Sequence, residues 1–150
     1  MPIQTTVSDY LGKFCKNILL LDQDLRFAGI ADYSGELHAT AYRSGLVPLI
    51  DTEQTKKYAK QTVFRARTRG EFRPYVGACE YAVAIYEKLI RATVVIEHTR
   101  EEQRNIYLMV SLDCASDYAG IIREKVIPYI SKEKLALFEN TKAMSDRFQE

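Results

Sequence analysis

Two apolar segments flank the dipeptide Glu87-Lys88, and they constrain the fold more than any other feature of the sequence. In residues 76–86 and in residues 89–97, every second side chain is apolar, which is the period of a β-strand. A two-residue connection predicts a hairpin and fixes its register, with Tyr86 opposite Leu89. In that register one face carries only apolar pairs: Ile85 with Ile90, Val83 with Ala92, Tyr81 with Val94, and Cys79 with Ile96. The sequence therefore predicts an antiparallel hairpin that buries one face.

Further strands are predicted on both sides of this hairpin. Residues 26–32 and 36–42 form two short strands separated by the turn sequence Tyr33-Ser34-Gly35. Residues 106–112 form a fifth strand, which completes a three-stranded meander. The inward-facing residues of this last strand are predicted to be Ile106, Leu108, Val110 and Leu112.

Helical periodicity separates and flanks these strands. Residues 7–21 predict a one-sided helix capped by Ser8. Residues 52–69 predict a second helix, since Asp51 and Gln54 have the spacing of a capping box. Its stripe of small residues favours packing on a sheet or a partner. The members of that stripe are Thr55, Ala59, Thr62, Val63 and Ala66.

The last part of the chain predicts two more helices. One begins at Ser116 or Asp117 and ends or kinks near Ile127, because Pro128 interrupts the backbone hydrogen bonding of a helix. Ser131 is predicted to cap a separate amphipathic helix. The apolar stripe of that helix comprises Leu137, Thr141, Met144 and Phe148.

Length and composition indicate an ordinary soluble, cytoplasmic protein. The chain has 150 residues, of which 47% are hydrophobic and 27% charged, values typical of globular proteins. We expect one domain over residues 1–150, with a core at 7–130 and a helical extension at 131–150. The longest aliphatic run, residues 18–21, is too short to span a bilayer, and the N-terminal residues do not resemble a signal peptide. Membrane insertion is therefore not expected.

The element order α-β-β-α-β-β-β-α resembles the roadblock/dynein light chain fold, a relative of profilin-like and longin domains, over about residues 7–130. The resemblance implies an α+β fold with a five-stranded antiparallel sheet in the order 2-1-5-4-3 and helices on both faces. The segments RFAGIADYSGEL and YRSGLVPL are also similar to small uncharacterised archaeal proteins. A PAS-like sensor fold is the alternative, but a single long helix in the middle of the chain favours the roadblock-like order.

The implied sheet places the strand at 76–86 on one edge. This strand has no proline, no lysine and a single acid, Glu80, so it lacks the usual protection against pairing with another chain. Roadblock-like proteins form dimers through this strand, and the resemblance implies a homodimer here. The alternative is that a loop or the last helix covers the edge. The predicted dimer interface consists of Val76, Ala78, Glu80, Ala82, Ala84 and Tyr86.

A basic cluster occupies the second helix and the residues after it. Seven cations and one acid lie between positions 56 and 73, although the whole chain has a net charge of only +1. Helical geometry places Lys56, Lys60 and Arg67 on one face, and Arg65 with Arg69 on the opposite one. The first three form a candidate surface for an anion or a partner. The division of the charge between two faces argues against specific nucleic-acid binding.

The sequence contains no recognisable catalytic or cofactor-binding motif. It has no G-x-S-x-G, Walker or G-x-G-x-x-G sequence. Cys15 and Cys79 are expected on buried apolar faces, which does not suit an activated thiolate. His38 and His98 lack the spacing of a zinc motif. We therefore predict no catalytic residue, no metal site and no cofactor.

Tyrosines are numerous, and most are expected to fill space between the sheet and the helices; interface or ligand contacts are the alternatives. They are Tyr33, Tyr42, Tyr58, Tyr75, Tyr81, Tyr86 and Tyr107.

The function that follows from these observations is a non-enzymatic protein-interaction or regulatory module that acts in signalling as a dimer through an edge strand. The resemblance implies a small GTPase or another protein as its partner. The alternative is a PAS-like sensor that binds a small apolar ligand between the sheet and the second helix.

Overall fold

A computed structural model describes residues 6–145, in which helices and strands follow the predicted order. The strands are β1 (Leu25–Ala31), β2 (Leu37–Tyr42), β3 (Ala82–Ile85), β4 (Ile90–Ile96) and β5 (Ile106–Leu112). The helices are α1 (Val7–Leu19), α2 (Thr52–Gly70), α3 (Arg73–Val76), α4 (Tyr118–Ile121), α5 (Ile127–Glu139) and α6 (Lys142–Ser145). A 3₁₀ turn covers Glu102–Arg104, and a π-helical turn covers Ile122–Val126.

The five strands form one antiparallel sheet in the order β2-β1-β5-β4-β3, which confirms the predicted order and the α+β class. The register around Glu87-Lys88 is also confirmed, since Ile85 lies opposite Ile90 and Val83 lies opposite Ala92. The two-residue connection thus determines the pairing of β3 with β4.

β3 is much shorter than the predicted strand at 76–86. Pro74 lies in the first turn of α3, where its missing N–H leaves no hydrogen bond unmade. Gly77 then has a φ of 85°, a conformation that interrupts an extended chain. The predicted pairs Tyr81–Val94 and Cys79–Ile96 are therefore wrong, because pairing begins at Ala82.

Capping explains where the two long helices begin. The Asp9 N–H donates to Thr6 Oγ1 at 3.0 Å, so Thr6 caps α1 and the predicted cap Ser8 is wrong. At α2 the predicted capping box is confirmed: the Gln54 N–H donates to Asp51 Oδ1 at 2.8 Å, and the Asp51 N–H donates to Gln54 Oε1 at 3.0 Å. The predicted small-residue stripe of α2 is buried.

The sheet separates two layers of buried side chains. On one face α1 and α5 pack against the sheet around Leu11, Ile18, Leu108 and Leu137. On the other face Ala59, Val63 and Ala66 of α2 pack against Phe27, Ala31, Tyr107 and Met109. All seven residues of β5 are buried, because this central strand is covered on both faces.

The helix after β5 corrects the prediction of a separate C-terminal helix. Asp117 caps α4, with the Gly120 N–H donating to its Oδ1 at 3.2 Å. The helical path then passes through the π-turn and Pro128 into α5, so Ser131 lies inside a helix and does not start a separate one. The wider π-turn accommodates a residue that lacks an N–H.

The C-terminal part of the described chain packs against the main core of the same chain. Leu137 is fully buried in the main core, and Thr141 and Met144 are buried as well. Phe148, the last residue of the predicted stripe, lies outside the described residues. No helix within residues 6–145 is both long and apolar enough to span a bilayer.

Candidate interaction surface

The outer side of β3 is an open sheet edge, with no strand beyond it among the described residues. The Tyr86 N–H donates to the Leu89 carbonyl at 2.9 Å. Because hydrogen-bonded and non-hydrogen-bonded pairs alternate in an antiparallel ladder, Ala82 and Ala84 also direct their backbone groups toward β4. Val83 and Ile85 therefore direct their N–H and C=O groups outward.

Large apolar side chains are exposed in the chain segment that leads into β3 and in β3 itself. Tyr75 and Val76 of α3 are 83% and 80% exposed, and Ile85 of β3 is 66% exposed. Phe72 and Tyr86 are exposed as well. We call β3 together with these five residues the edge surface. These exposed apolar residues are thus concentrated in the chain segment 72–86.

The predicted interface residues follow this edge but do not share one strand face. Val76 ends α3, while Ala78 and Glu80 lie in the irregular segment before β3. Ala82 and Ala84 lie within β3, and Tyr86 follows it. Within the described part of the chain, neither the C-terminal helices nor a loop covers β3, since Ala84, Ile85 and Tyr86 are exposed. Whether these residues contact a second copy stays a prediction.

A groove lined by cationic side chains separates α2 from β3. Arg65 and Arg69 of α2 line it together with Ala82 and Ala84 of β3 and Arg91 of β4. The groove thus places three guanidinium groups beside the edge surface. An approaching chain with acidic side chains would find complementary charge there.

Arg91 is held by aromatic rings. Its guanidinium carbon lies 3.8 Å from the centre of the Tyr58 ring and 5.5 Å from that of Tyr86. Burial raises the pKa of Tyr58, which keeps its hydroxyl neutral. The contact between Arg91 and Tyr58 could not be predicted from the sequence, because α2 and β4 are far apart in the chain.

The three cations predicted as an anion or partner surface lie on the other side of α2. Arg67 stacks on the Tyr33 ring at 3.7 Å and donates to the Tyr33 carbonyl at 3.3 Å. Lys60 packs against Gly35, and Lys56 pairs with Glu53 at 3.4 Å. The charge is divided between two faces, as predicted. In this subunit Arg67 and Lys60 hold the β1–β2 turn, and a role in binding an anion stays a prediction.

His38 belongs to a cluster at the β1–β2 turn. Ligand atoms of Asp32, Glu36 and His38 lie within 4.8 Å of one another, a spacing compatible with a metal ion. Asp32 already has four donors, however. Its Oδ1 accepts from the Ser34 N–H, the Ser34 hydroxyl and the Glu36 N–H, and its Oδ2 lies 2.7 Å from His38 Nε2. These contacts explain Asp32 as the residue that closes the turn.

The other candidate catalytic or metal-ligating residues are His98 and the three cysteines. His98 Nδ1 accepts from the N–H groups of Arg100 and Glu101. Burial raises the pKa of the Cys15 thiol to about 12. Cys79 is exposed, which corrects the prediction that it lies on a buried strand face, and Cys114 is exposed beside the β3–β4 turn. Cys79 and His98 both line a cleft between α2 and β4, whereas Cys15 and Cys114 do not line it.

The tyrosines divide between the core and the surface. Tyr107 is buried, and Tyr33 and Tyr58 pack against the layer under α2, which confirms the space-filling role for these three. Tyr75 and Tyr86 are exposed on the edge surface.

Comparison with known proteins reveals similarity at the level of structure alone. No family model and no curated protein matches the chain. The gliding protein MglB from Thermus thermophilus matches with a TM-score of 0.67 and 12% identity, over 94% of this chain and 95% of that one. A structure of MglB in a tetrameric arrangement matches with a TM-score of 0.62 and 12% identity, over 79% and 82% of the two chains.

A roadblock/LC7 domain from Streptomyces avermitilis matches with a TM-score of 0.59 and 9% identity, over 89% of this chain and 95% of that one. The chain therefore has the roadblock fold. None of these three neighbours is a PAS domain, so the comparisons lend no support to the PAS-like alternative. The similarity to archaeal proteins stays a prediction.

Proposed function

From the roadblock fold and the open edge of β3, we propose that the protein is a non-enzymatic protein-interaction or regulatory module that acts as a homodimer. The observation that carries the proposal is the open outer edge of β3, which has no partner strand among the described residues, together with exposed apolar side chains in the segment around it. Monomeric proteins usually protect such an edge with charge, proline or a covering element. In β3 the exposed positions are instead occupied by alanine and isoleucine.

Pairing of β3 with its symmetry mate gives the simplest assembly. Two antiparallel copies of one strand form a self-complementary interface around a two-fold axis. The outward backbone groups of Val83 and Ile85 supply the hydrogen bonds, and the two sheets become continuous. Phe72, Tyr75 and Val76 extend the contact beyond the strand.

The partner class follows from the fold rather than from a residue. Roadblock-like dimers serve as platforms for small GTPases and other signalling proteins, and we propose a protein partner of this kind. One solved structure of similar fold is described as MglB with a tetrameric arrangement. This supports the proposal, because it shows that a protein of this fold can form an oligomer. A cytoplasmic location is part of the same proposal.

Light scattering of the full chain tests the dimer. We expect a mass of twice 17.2 kDa at tens of micromolar protein. Ile85→Lys should give the monomer mass, because it places two like charges near the two-fold axis and a lysine on the strand edge. Leu135→Lys is the matched control, since Leu135 is equally apolar, 89% exposed and located on α5.

Circular dichroism of Ile85→Lys should match the wild-type spectrum, since the side chain is exposed in the subunit. A monomeric wild type would refute the homodimer. A dimer that survives Ile85→Lys unchanged would move the interface away from β3.

A further inference from the structure

The cationic groove between α2 and β3 has a volume of about 210 Å³. This is room for about seven water molecules at roughly 30 Å³ each, so a small hydrated anion fits. The groove is formed within one subunit. Its α2 wall is one stripe at helical spacing, made of Tyr58, Thr62, Arg65 and Arg69, and its β4 wall includes Arg91 and Thr93.

The two walls run side by side, which brings their polar groups together. Tyr58 of α2 stacks on Arg91 of β4 at 3.8 Å. The C-terminal part of α2 and the last residues of β4 again line one cleft together. Four residues of α2 span about 6 Å and two residues of β4 about 6.6 Å, so the elements stay in step. Thr62, four residues after Tyr58, is therefore level with Thr93, two residues after Arg91.

Arg65 reaches the same place from α2. Its NH2 group lies 3.5 Å from Thr62 Oγ1. Burial raises the pKa of the Tyr58 hydroxyl, and the Thr62 side chain and the charges of Arg91 and Arg65 oppose that rise. Both guanidinium groups thus act on the same hydroxyl. Two cations from different elements converge beside Tyr58 and Thr62.

The donors in the groove lack acceptors. Thr93 is only 8% exposed and lies on the same face of β4 as Arg91, because residues two apart on a strand share a face. Its hydroxyl forms no hydrogen bond with another of the residues 6–145, and Arg69 and Arg91 form no ion pair among them. Within the same range, no aspartate or glutamate lines the groove. An anion bound there would satisfy a nearly buried hydroxyl and offset the repulsion between the cations.

We propose that the cationic groove binds the phosphate group of a small molecule. The phosphate oxygens accept hydrogen bonds from the guanidinium groups of Arg65 and Arg91 and from the Thr93 hydroxyl. Arg69, one turn further along α2, adds positive charge. A tetrahedral dianion suits the groove better than a planar monocarboxylate, because the donors approach from two walls and are charged more than once. Inorganic phosphate and a phosphate monoester both present this group.

Titration of the full chain with ethyl phosphate and with inorganic phosphate, followed by NMR, tests the proposal. The ionic strength is held constant at pH 7.5, where the ester is mainly a dianion. We expect saturable shifts of the Arg65 and Arg91 Nε–H signals. Acetate should bind at least about tenfold more weakly than the better phosphate.

The two phosphates distinguish the sources of the ligand. Tighter binding of ethyl phosphate would support an organic ester, and tighter binding of inorganic phosphate would support the free ion. No saturation by either phosphate, or equal binding of acetate, would overturn the proposal.

A pair of variants on α2 locates the site. Arg65→Gln should weaken the binding of ethyl phosphate by at least about tenfold, because a hydrogen bond between charged groups is lost. Arg67→Gln is the matched control, with the same change of charge on the same helix. Arg67 stacks on Tyr33 and does not line the groove. Equal losses in the two variants would show a response to net charge alone and would refute the assigned contact.

Thr93→Val tests the hydroxyl without a change of charge. The branched shape is kept, and binding should weaken by about fivefold. Circular dichroism checks that the variant is folded. Wild-type affinity in a folded Thr93→Val would remove this residue from the site.

The phosphate site and the dimer fail in different ways. Because the groove lies within one subunit, Ile85→Lys should bind ethyl phosphate with wild-type affinity even as a monomer. A monomeric wild type that still binds phosphate would refute only the dimer, and a dimer that binds none would refute only the site. Loss of binding in Ile85→Lys would overturn the placement of the site within one subunit.

Discussion

The guanidinium of Arg91 on β4 lies 3.8 Å from the centre of the Tyr58 ring on α2. This cation–π contact joins two elements that are distant in sequence, and both residues line the cationic groove. Contacts of this kind stabilise a fold by roughly 0.5–2 kcal/mol, depending on burial.

We therefore expect Tyr58→Leu to lower the free energy of unfolding by about 1–2 kcal/mol. In an Arg91→Gln background the same substitution should cost less, because the contact is already gone. Urea denaturation at one fixed protein concentration measures both values. Strict additivity of the two substitutions would show that the rings and the guanidinium do not stabilise each other.

Leu137 tests whether the C-terminal helix belongs to the core. Its side chain is fully buried, so Leu137→Ala should lower the free energy of unfolding by about 2–5 kcal/mol. Leu135→Ala, two residues earlier and 89% exposed, should change it by less than about 0.5 kcal/mol. Thermal or urea denaturation compares the two variants. Similar small effects would mean that this helix contributes little to stability.

Asp113 should make stability depend on pH. Hydrogen bonds from Arg43, and then from Arg26, hold the pKa of its carboxyl below the ordinary value. A lowered pKa in the folded state stabilises the protein above the unfolded pKa of about 3.9, and this stabilisation is lost as the pH falls through the folded value.

We expect Asp113→Asn to unfold at lower urea concentration than the wild type at pH 7, and the difference to shrink below about pH 4. Added salt should reduce the difference at pH 7, since the carboxylate is one-third exposed. Glu80→Gln, at an exposed position, is the control. A difference that stays constant down to acid pH would exclude the ionised carboxylate as its source.

The three cysteines should react at different rates. Burial raises the pKa of the Cys15 thiol to about 12, whereas Cys79 and Cys114 are exposed. Iodoacetamide at pH 8 should therefore modify Cys79 and Cys114 in the folded protein, and Cys15 only after unfolding. Peptide mass spectrometry identifies the modified residues. Rapid modification of Cys15 without denaturant would contradict its burial.

The sheet was predictable because short connections and alternating side chains determine it. Glu87-Lys88 sets the β3–β4 register, and the apolar alternation of β5 identifies a strand that is buried in the sheet. Burial of Ile106, Leu108, Val110 and Leu112 follows directly from that pattern.

The errors in the extent of β3 and in the helix around Ser131 arose where proline and glycine act through backbone geometry. Residues 76–81 have strand-like composition, but Pro74 and Gly77 convert the preceding chain into a helical turn that ends at a positive φ. These two residues were the available signal for a short β3. At Pro128 the predicted break in the helix does not occur. The π-turn at Ile122–Val126 allows the helix to continue past this proline.

The candidate site was only half visible in the sequence. Pattern identified an edge strand and a divided basic cluster. It did not identify the stacking of Arg91 on Tyr58, because this depends on a contact between distant segments.

The brevity of β3 limits how firmly two copies can hold each other. With only Val83 and Ile85 offering outward backbone groups, a strand-to-strand seam contains few hydrogen bonds, and side chains must supply the rest of the affinity. Such a seam separates readily on dilution, so subunits carrying different mass labels should mix into hybrid pairs. A dimer held in this way would exchange subunits. Which dimers form would then depend on the concentrations of the chains whose edge strands can pair with β3.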